Sequence, residues 1–160
     1  MASKVAALAA VTLVLGACLK REKYPVEPVI SMKSIEMTGD STLITIAFTD
    51  GDGDIGLAES DTFPPFDTSS LYYFNLYFDP QRLENGTWTN VDLPYYYRVA
   101  PITPTGQDKS LNGEIAWALR TQFFPLPPLA QGDTVRFNIR LVDRALHVSN
   151  TVTTEAFRIP

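Results

Sequence analysis

From Val29 to the end of the chain, apolar and polar residues alternate in short runs with a period of two, the pattern of half-buried β-strands. No run in this region repeats apolar residues at the spacing of an amphipathic helix. The alternation predicts strands at 29–37, 42–49, 71–79, 86–93, 95–99, 113–119, 134–142 and 148–158. Asn-Gly and Gly-Asp pairs between several of these runs indicate turns, and the Pro-rich segment 123–130 is predicted to be a connection.

These strands predict one all-β domain, an immunoglobulin-like or fibronectin type III-like antiparallel sandwich, with a small barrel as the alternative. One side of each strand should form the core. In the last strand the alternation places Val148 and Val152 on one side and Phe157 and Ile159 on the other. This change of phase predicts a bulge. The core-facing sets predicted for the other strands are Ile44, Ile46 and Phe48; Tyr72, Phe74, Leu76 and Phe78; Ile115, Trp117 and Leu119; and Val135, Phe137, Ile139 and Leu141.

Two strands end in an aspartate at a position where their alternation predicts another core residue. Asp50 continues the phase of Phe48, and Asp143 continues the phase of Leu141. In an immunoglobulin-like sandwich these strands lie in opposite sheets and end at the same pole, so we expect the two carboxylates to lie close together. Asp52 and Asp54 follow Asp50 in an Asp-Gly-Asp-Gly-Asp-Ile-Gly run, whose glycines permit a tight loop.

Converging carboxylates repel one another, and a hard cation removes that repulsion. Two carboxylates ~4 Å apart cost roughly 4 kcal/mol at an effective dielectric constant of ~20. Calcium binds oxygen ligands, so we predict a calcium site formed by Asp50, Asp52, Asp54 and Asp143. The loop is not an EF-hand, because no helices flank it and an isoleucine replaces the required glycine. Two alternatives are a solvated acidic turn and a salt bridge from Arg144.

The N-terminal residues 1–17 predict a lipoprotein signal peptide. Lys4 precedes an apolar stretch that is too short for a membrane-spanning helix and fits the core of a secretory signal. The stretch ends in Leu-Gly-Ala-Cys18, which resembles a bacterial lipobox, so Cys18 is predicted to be the lipidated N-terminus of the mature chain. Residues 18–28 then form the lipidated cysteine and an extended tether, and residues 29–160 form the sandwich.

Composition excludes several classes of protein. Hydrophobic residues make up 45% and charged residues 19%, which is typical of a globular chain. The formal net charge of -5 argues against a nucleic-acid partner. A single histidine and a single cysteine exclude internal disulfides, Cys/His zinc sites and a Cys–His catalytic pair. No serine-elbow motif accompanies His147 and no glycine-rich phosphate loop is present, so we expect no enzymatic activity.

Two segments carry a family resemblance. The run Phe48-Thr49-Asp50-Gly51-Asp52-Gly53-Asp54-Ile55-Gly56, together with the lipobox, resembles a motif in small, mostly uncharacterised lipoproteins of Bacteroidota. Those proteins combine a lipobox, an aspartate-glycine loop and an immunoglobulin-like domain, and their final hairpin is similar to residues 141–150. The resemblance implies an immunoglobulin-like fold and lipid anchoring in the cell envelope, at the outer membrane. It implies no particular activity.

These features predict a non-catalytic lipoprotein that serves in binding or scaffolding, with an unidentified envelope protein or a glycan as its partner and the membrane reached through the lipid. A first alternative is a glycan-binding module, whose ligand face would be formed by outward-pointing Tyr73, Tyr77, Trp88 and Tyr96. Cross-strand aromatic pairing explains the same residues without a ligand. A second alternative is a small hydrolase that also uses Glu59, Asp61 or Asp67, and a third is a structural subunit of an envelope assembly.

Overall fold

A computed structural model describes residues 23–39, 41–104, 109–120 and 126–159. The predicted signal peptide and Cys18 lie outside these residues, as does part of the Pro-rich connection. A 3-10 turn spans Leu71–Tyr73. The strands are β1 (Val29–Thr38), β2 (Ser41–Asp50), β3 (Leu76–Glu84), β4 (Thr87–Asn90), β5 (Tyr95–Tyr97), β6 (Leu111–Arg120), β7 (Thr134–Leu141), β8 (Val152–Thr153) and β9 (Phe157–Arg158).

The strands form two antiparallel sheets. The first sheet has the order β1-β2-β6. The second has the order β4-β3-β7-β8, with β5 also paired to β3 and β9 also paired to β7. This arrangement confirms the prediction of an all-β antiparallel sandwich with an immunoglobulin-like architecture. It also places the strands that end in Asp50 and near Asp143 in different sheets.

The alternation of β2 and β7 assigns the core correctly. The predicted residues of both strands are at most 3% exposed and belong to one apolar cluster. In β6 the predicted phase is also right, since Leu119 is buried and Ile115 and Trp117 pack against the same cluster. Each large side chain buried in this way contributes about 1.5–3 kcal/mol, which stabilises a domain of this size without a disulfide.

The predicted strand 71–79 is wrong at its beginning. The 3-10 turn at Leu71–Tyr73 breaks the period of two, and β3 starts only at Leu76. Tyr77, predicted to point outward, is 3% exposed: its hydroxyl donates to the carbonyl oxygen of Leu71 in the turn at 2.7 Å, and its ring contacts Tyr96 and Arg140. Asn75, also predicted to face away from the core, is buried, and its Oδ1 accepts from the amide of Val99 at 2.6 Å.

The predicted last strand 148–158 is interrupted, and the predicted change of phase falls at the interruption. It consists of β8 and β9; Val148 is 48% exposed, whereas Phe157 and Ile159, which have the other phase, are buried. Two buried hydroxyls continue the pairing with β7. The Oγ of Ser149 accepts from the amide of Leu141, and the Oγ1 of Thr154 accepts from the amide of Phe137, each at 2.9 Å. Side chains therefore replace backbone partners where the strand breaks.

Candidate metal centre

The ends of β2 and β7 bring four aspartates together. Asp50 closes β2, and Asp143 lies two residues beyond the end of β7 in the opposite sheet. Both side chains are buried, with residue exposures of 0% and 1%. Each of Asp50, Asp52, Asp54 and Asp143 offers a carboxylate oxygen that lies within 4.8 Å of the other three. The convergence expected from the strand phases is therefore present, and we call this end of the sandwich the acidic pole.

The glycines of the loop after β2 allow the aspartates to converge. Gly53 has φ +72°, and a Cβ atom there would lie 1.7 Å from the backbone oxygen of Lys109. Gly56 has φ +107°, and a Cβ atom there would lie 2.3 Å from the backbone oxygen of Ala100. Between them Ile55 is buried in the core, and its carbonyl accepts from the amide of Ile102 at 2.9 Å. The buried isoleucine turns the chain inward, which explains why the loop departs from the EF-hand pattern.

The other side of the cluster is a tight turn after β7. The Oδ1 of Asp143 accepts from the amide of His147, and its Oδ2 lies 2.8 Å from the Nδ1 of the same histidine. The amide of Arg144 donates to the carbonyl of Asp54 at 3.2 Å, which joins this turn to the aspartate-glycine loop. The hydrogen bond and the charge of Asp143 raise the pKa of His147. Sequence reasoning placed His147 in this hairpin but did not predict that it orients Asp143.

Three carboxylate oxygens in the cluster lack a partner. The Oδ2 of Asp50 accepts from the amide of Asp54 at 3.0 Å. Its Oδ1, and the Oδ1 atoms of Asp52 and Asp54, are buried and have no hydrogen-bond partner among the described residues. A buried acceptor without a partner costs about 1–3 kcal/mol, and more when it is charged. Oxygen atoms in this state are the ligands that a hard cation binds.

The electrostatics of the cluster reflect the same shortage of partners. The pKa of Asp50 is raised to about 6, chiefly by burial and also by the charges of Asp52, Asp54 and Asp143, which together outweigh the hydrogen bond from the amide of Asp54. Burial, followed by the charges of Asp143 and Asp52, also raises the pKa of Asp54. Both shifts mean that, without a bound cation, these two carboxylates hold protons more tightly than free carboxylates do.

Arg144 is not the hydrogen-bonding partner of the buried carboxylates. Its guanidinium forms a two-pronged ion pair with Asp61, in which Nη2 lies 2.8 Å from Oδ1. The alternative prediction, a salt bridge from Arg144 to Asp50 or Asp143, is therefore wrong, because Arg144 pairs with Asp61. Asp61 is held in the long loop after β2, where Arg98 donates to its carbonyl at 2.6 Å, and Asp67 accepts from Ser69. Neither residue belongs to the cluster of four aspartates.

The aromatic residues of the predicted ligand face are covered by arginines of the same chain. The guanidinium of Arg136 lies 4.3 Å from the ring centre of Trp88, and that of Arg140 lies 4.2 Å from the ring centre of Tyr77. Arg98 lies 5.0 Å from the ring centre of Tyr73. The hydroxyl of Tyr96 donates to Asp79 at 3.3 Å, and its ring contacts Tyr77 edge-on. Tyr73, Trp88 and Tyr96 are half-buried, so the four rings do not form a flat exposed strip.

The predicted tether is partly packed against the acidic pole. A Cβ atom at Gly51 would lie 2.4 Å from the backbone oxygen of Tyr24 and 2.6 Å from that of Pro25. The Nδ2 of Asn112 donates to the hydroxyl of Tyr24 at 3.1 Å, and Pro28 is buried. Sequence reasoning missed this contact, because the charge and proline content of residues 19–28 indicated an extended segment. Gly51, where a side chain would meet this segment, is the sequence feature that could have indicated the contact.

Comparisons with known proteins do not assign the chain to a family. No protein-family model matches it, and the searches of curated proteins and of solved structures found no match either. Within the described residues, no helix has the length and apolar character needed to cross a bilayer.

Proposed function

We propose that the protein is a cell-envelope lipoprotein, anchored through Cys18, whose non-catalytic sandwich binds calcium at the acidic pole and serves in binding or scaffolding. One observation carries the metal proposal. The Oδ1 of Asp50 is fully buried, has no hydrogen-bond partner among the described residues, and lies in a cluster with three other carboxylates. An isolated carboxylate is rarely retained in such a place without a counter-charge.

A bound cation would change the electrostatic energy of this cluster from repulsive to attractive. Each pair of ionised carboxylates at ~4 Å costs roughly 4 kcal/mol at an effective dielectric constant of ~20, and the arginine nearest to the turn is engaged by Asp61. A divalent ion placed among Asp50, Asp52, Asp54 and Asp143 replaces these repulsions with attractions and provides a partner for each free oxygen. The hydrogen bonds from His147 hold Asp143 in position without occupying the other three aspartates.

The ligand set favours a hard cation such as calcium over zinc and the later transition metals. All four ligands are oxygens, whereas zinc and later transition metals favour nitrogen or sulfur ligands. The four oxygens lie within 4.8 Å of one another, which is about twice a calcium–oxygen distance of ~2.4 Å. This spacing is compatible with one calcium ion shared by the four aspartates. Calcium binds six to eight oxygens, which leaves room for water or for a second oxygen from a carboxylate.

Calorimetric titration of calcium into the purified full chain, after treatment with a chelator, tests the metal site. We expect one calcium ion per chain and no saturable binding in Asp50→Asn or Asp143→Asn. Asp92→Asn is the matched control, because Asp92 is exposed and is not part of the cluster. An unmodified chain that binds no calcium under conditions where it is folded would contradict the proposal.

The anchor rests on the sequence of the first 18 residues and is tested separately. We expect cells fed an alkyne-tagged fatty acid to label the wild-type chain and not Cys18→Ala. Mass spectrometry of the mature protein should find the chain beginning at an acylated Cys18. An unlabelled chain that retains residues 1–17 would contradict the anchor and leave the metal proposal unaffected.

The hydrolase alternative receives less support from the geometry. Glycoside hydrolysis places two carboxyl groups on either side of a scissile bond, roughly 5–9.5 Å apart. Here the four oxygens form a single cluster within 4.8 Å, and Asp61 and Asp67 are engaged in other hydrogen bonds. A cluster of this kind is suited to hold an ion rather than to divide the roles of acid and nucleophile.

A further inference from the structure

Two large apolar side chains are exposed on the loop that joins β2 to β3. Phe63 is 77% exposed and Leu71 is 82% exposed, while the other exposed large hydrophobic residues among those described are between 39% and 49% exposed. We call Phe63 and Leu71 the apolar tip. Single exposed apolar residues are common on protein surfaces, so what these two residues do depends on where the fold places them.

The apolar tip belongs to the acidic pole. β2 ends at this pole and β3 begins there, since Leu76 pairs with Leu141 at the end of β7. Phe63 is two residues from Asp61, which is bound by Arg144 beside Asp143. Leu71 is held at the start of β3 by the hydroxyl of Tyr77. The loop is thus fastened at both apolar residues, so their exposure is a property of the folded domain.

The N-terminal segment reaches the same pole. Tyr24 and Pro25 lie against Gly51, next to the aspartate cluster. Tyr24 is only six positions after Cys18, and a fully extended chain of that length spans at most ~20 Å. β1 runs away from this pole over ten residues, or ~33 Å. A lipid on Cys18 therefore holds Tyr24, and with it the acidic pole, within ~20 Å of the bilayer, whereas nothing ties the far end of the sandwich to it.

We infer that the apolar tip docks on the bilayer in which Cys18 is anchored, with Phe63 and Leu71 inserted among the lipids. This inference rests on the anchor of the proposed function and not on the bound ion. Asp50 and Asp143 are buried and are not presented to lipid headgroups, whereas Glu59 in the same loop is exposed. Lys20, Arg21 and Lys23, with Glu22 among them, give the intervening segment a net positive charge that anionic headgroups attract.

The test uses the full lipidated chain with a fluorophore at single positions. Cys18 is the only native cysteine and is acylated in the anchored protein, so Phe63→Cys and Leu71→Cys each supply the one free thiol. Met37→Cys is the matched control, because Met37 is an exposed apolar residue near the opposite end of β1. Each variant is labelled with an environment-sensitive dye and reconstituted into vesicles of phosphatidylethanolamine and phosphatidylglycerol with calcium present. Flotation measures anchoring, and quenching by spin-labelled lipids measures insertion.

We expect all three variants to float, with dye at positions 63 and 71 shifted to shorter wavelength and quenched several-fold more strongly than dye at position 37. Variants that float but show equal, weak quenching at the three positions would overturn the docking and leave the anchor intact. The apolar tip would then be a surface for a protein partner. A wild-type chain that does not float would overturn the anchor, and the proposed orientation with it.

Discussion

Asp50 and Asp143 end up next to each other although they belong to different sheets and are 93 positions apart in the sequence. Both are buried, and each receives a backbone hydrogen bond from a residue four positions further along its own turn, Asp54 in one case and His147 in the other. The two turns are thus built alike and point their carboxylates at the same spot. A cation bound at this spot would connect the two sheets of the sandwich.

Replacing Asp50 should have opposite effects with and without calcium. In chelator, Asp50→Asn removes a buried charge without a partner, so we expect the unfolding free energy to rise by about 1–2 kcal/mol. In saturating calcium the same variant loses a ligand and should be less stable than the wild type. Thermal melts in both conditions measure the change, and Asp92→Asn should alter neither. A variant that is destabilised equally in both would point to a purely structural role for Asp50.

The metal-free protein should become less stable as the pH rises from about 4 to about 6. The folded-state pKa of Asp50 is about 6, against 3.8 for an unperturbed aspartate, so the folded state binds more protons across this window. The loss is on the order of 3 kcal/mol at most, and the raised pKa of His147 extends the decline to higher pH. Chemical denaturation at several pH values in chelator measures it.

Calcium should reverse this slope, because the ion binds the deprotonated carboxylates and its affinity rises as they ionise. Stability measured in saturating calcium should therefore increase between the same two pH values. Parallel slopes with and without calcium would mean that the ion does not bind the cluster.

Gly53→Ala should destabilise the acidic pole strongly. The added Cβ would meet the backbone oxygen of Lys109 at 1.7 Å, at a φ of +72° that disfavours any side chain. We expect a loss of about 2–3 kcal/mol in the unfolding free energy, together with weaker calcium binding. Gly86→Ala is the control, since Gly86 has φ +83° but nothing within 4 Å of its Cβ position. That variant should lose only about 1 kcal/mol and bind calcium normally.

Arg144→Ala should release the long loop without impairing the metal site. Its guanidinium holds Asp61 and forms no hydrogen bond with the four clustered aspartates. We therefore expect faster proteolysis within residues 58–73, with calcium affinity unchanged or slightly higher because a nearby positive charge is lost. Calorimetry and timed digestion with a low amount of protease measure the two effects. A large fall in calcium affinity would show that Arg144 supports the cluster directly.

Thr154→Val should reveal the contribution of the hydroxyl that replaces a strand partner. Thr154 is 4% exposed, and its loss would leave the buried amide of Phe137 without that acceptor. We expect the unfolding free energy to fall by about 1–3 kcal/mol. Thr153→Val removes an exposed hydroxyl that bonds Asn138, and its effect should stay within about 0.5 kcal/mol. Equal effects of the two substitutions would indicate that burial of the hydroxyl does not matter here.

The strands whose sequence alternates cleanly could be predicted from the sequence, because one face of each is buried. In β2 and β7 the period of two identifies the core residues and also shows that Asp50 and Asp143 occupy core positions. The phases of these two strands, together with the strand arrangement of an immunoglobulin-like sandwich, were sufficient to predict that the carboxylates of Asp50 and Asp143 meet. The aspartate-glycine loop added Asp52 and Asp54, since its glycines permit the close packing that the structure has.

Contacts between residues distant in sequence were decided only in the tertiary structure. The alternation of residues 71–79 continues through a 3-10 turn, so pattern alone could not show that Tyr77 is covered by its own loop. The choice of Asp61 as partner of Arg144, and the packing of Tyr24 on Gly51, depend on which surfaces the two sheets bring within reach. Periodicity records which side of a strand is buried, whereas a hydrogen bond or an ion pair requires two groups at a fixed distance. That distance exists only once the chain has folded.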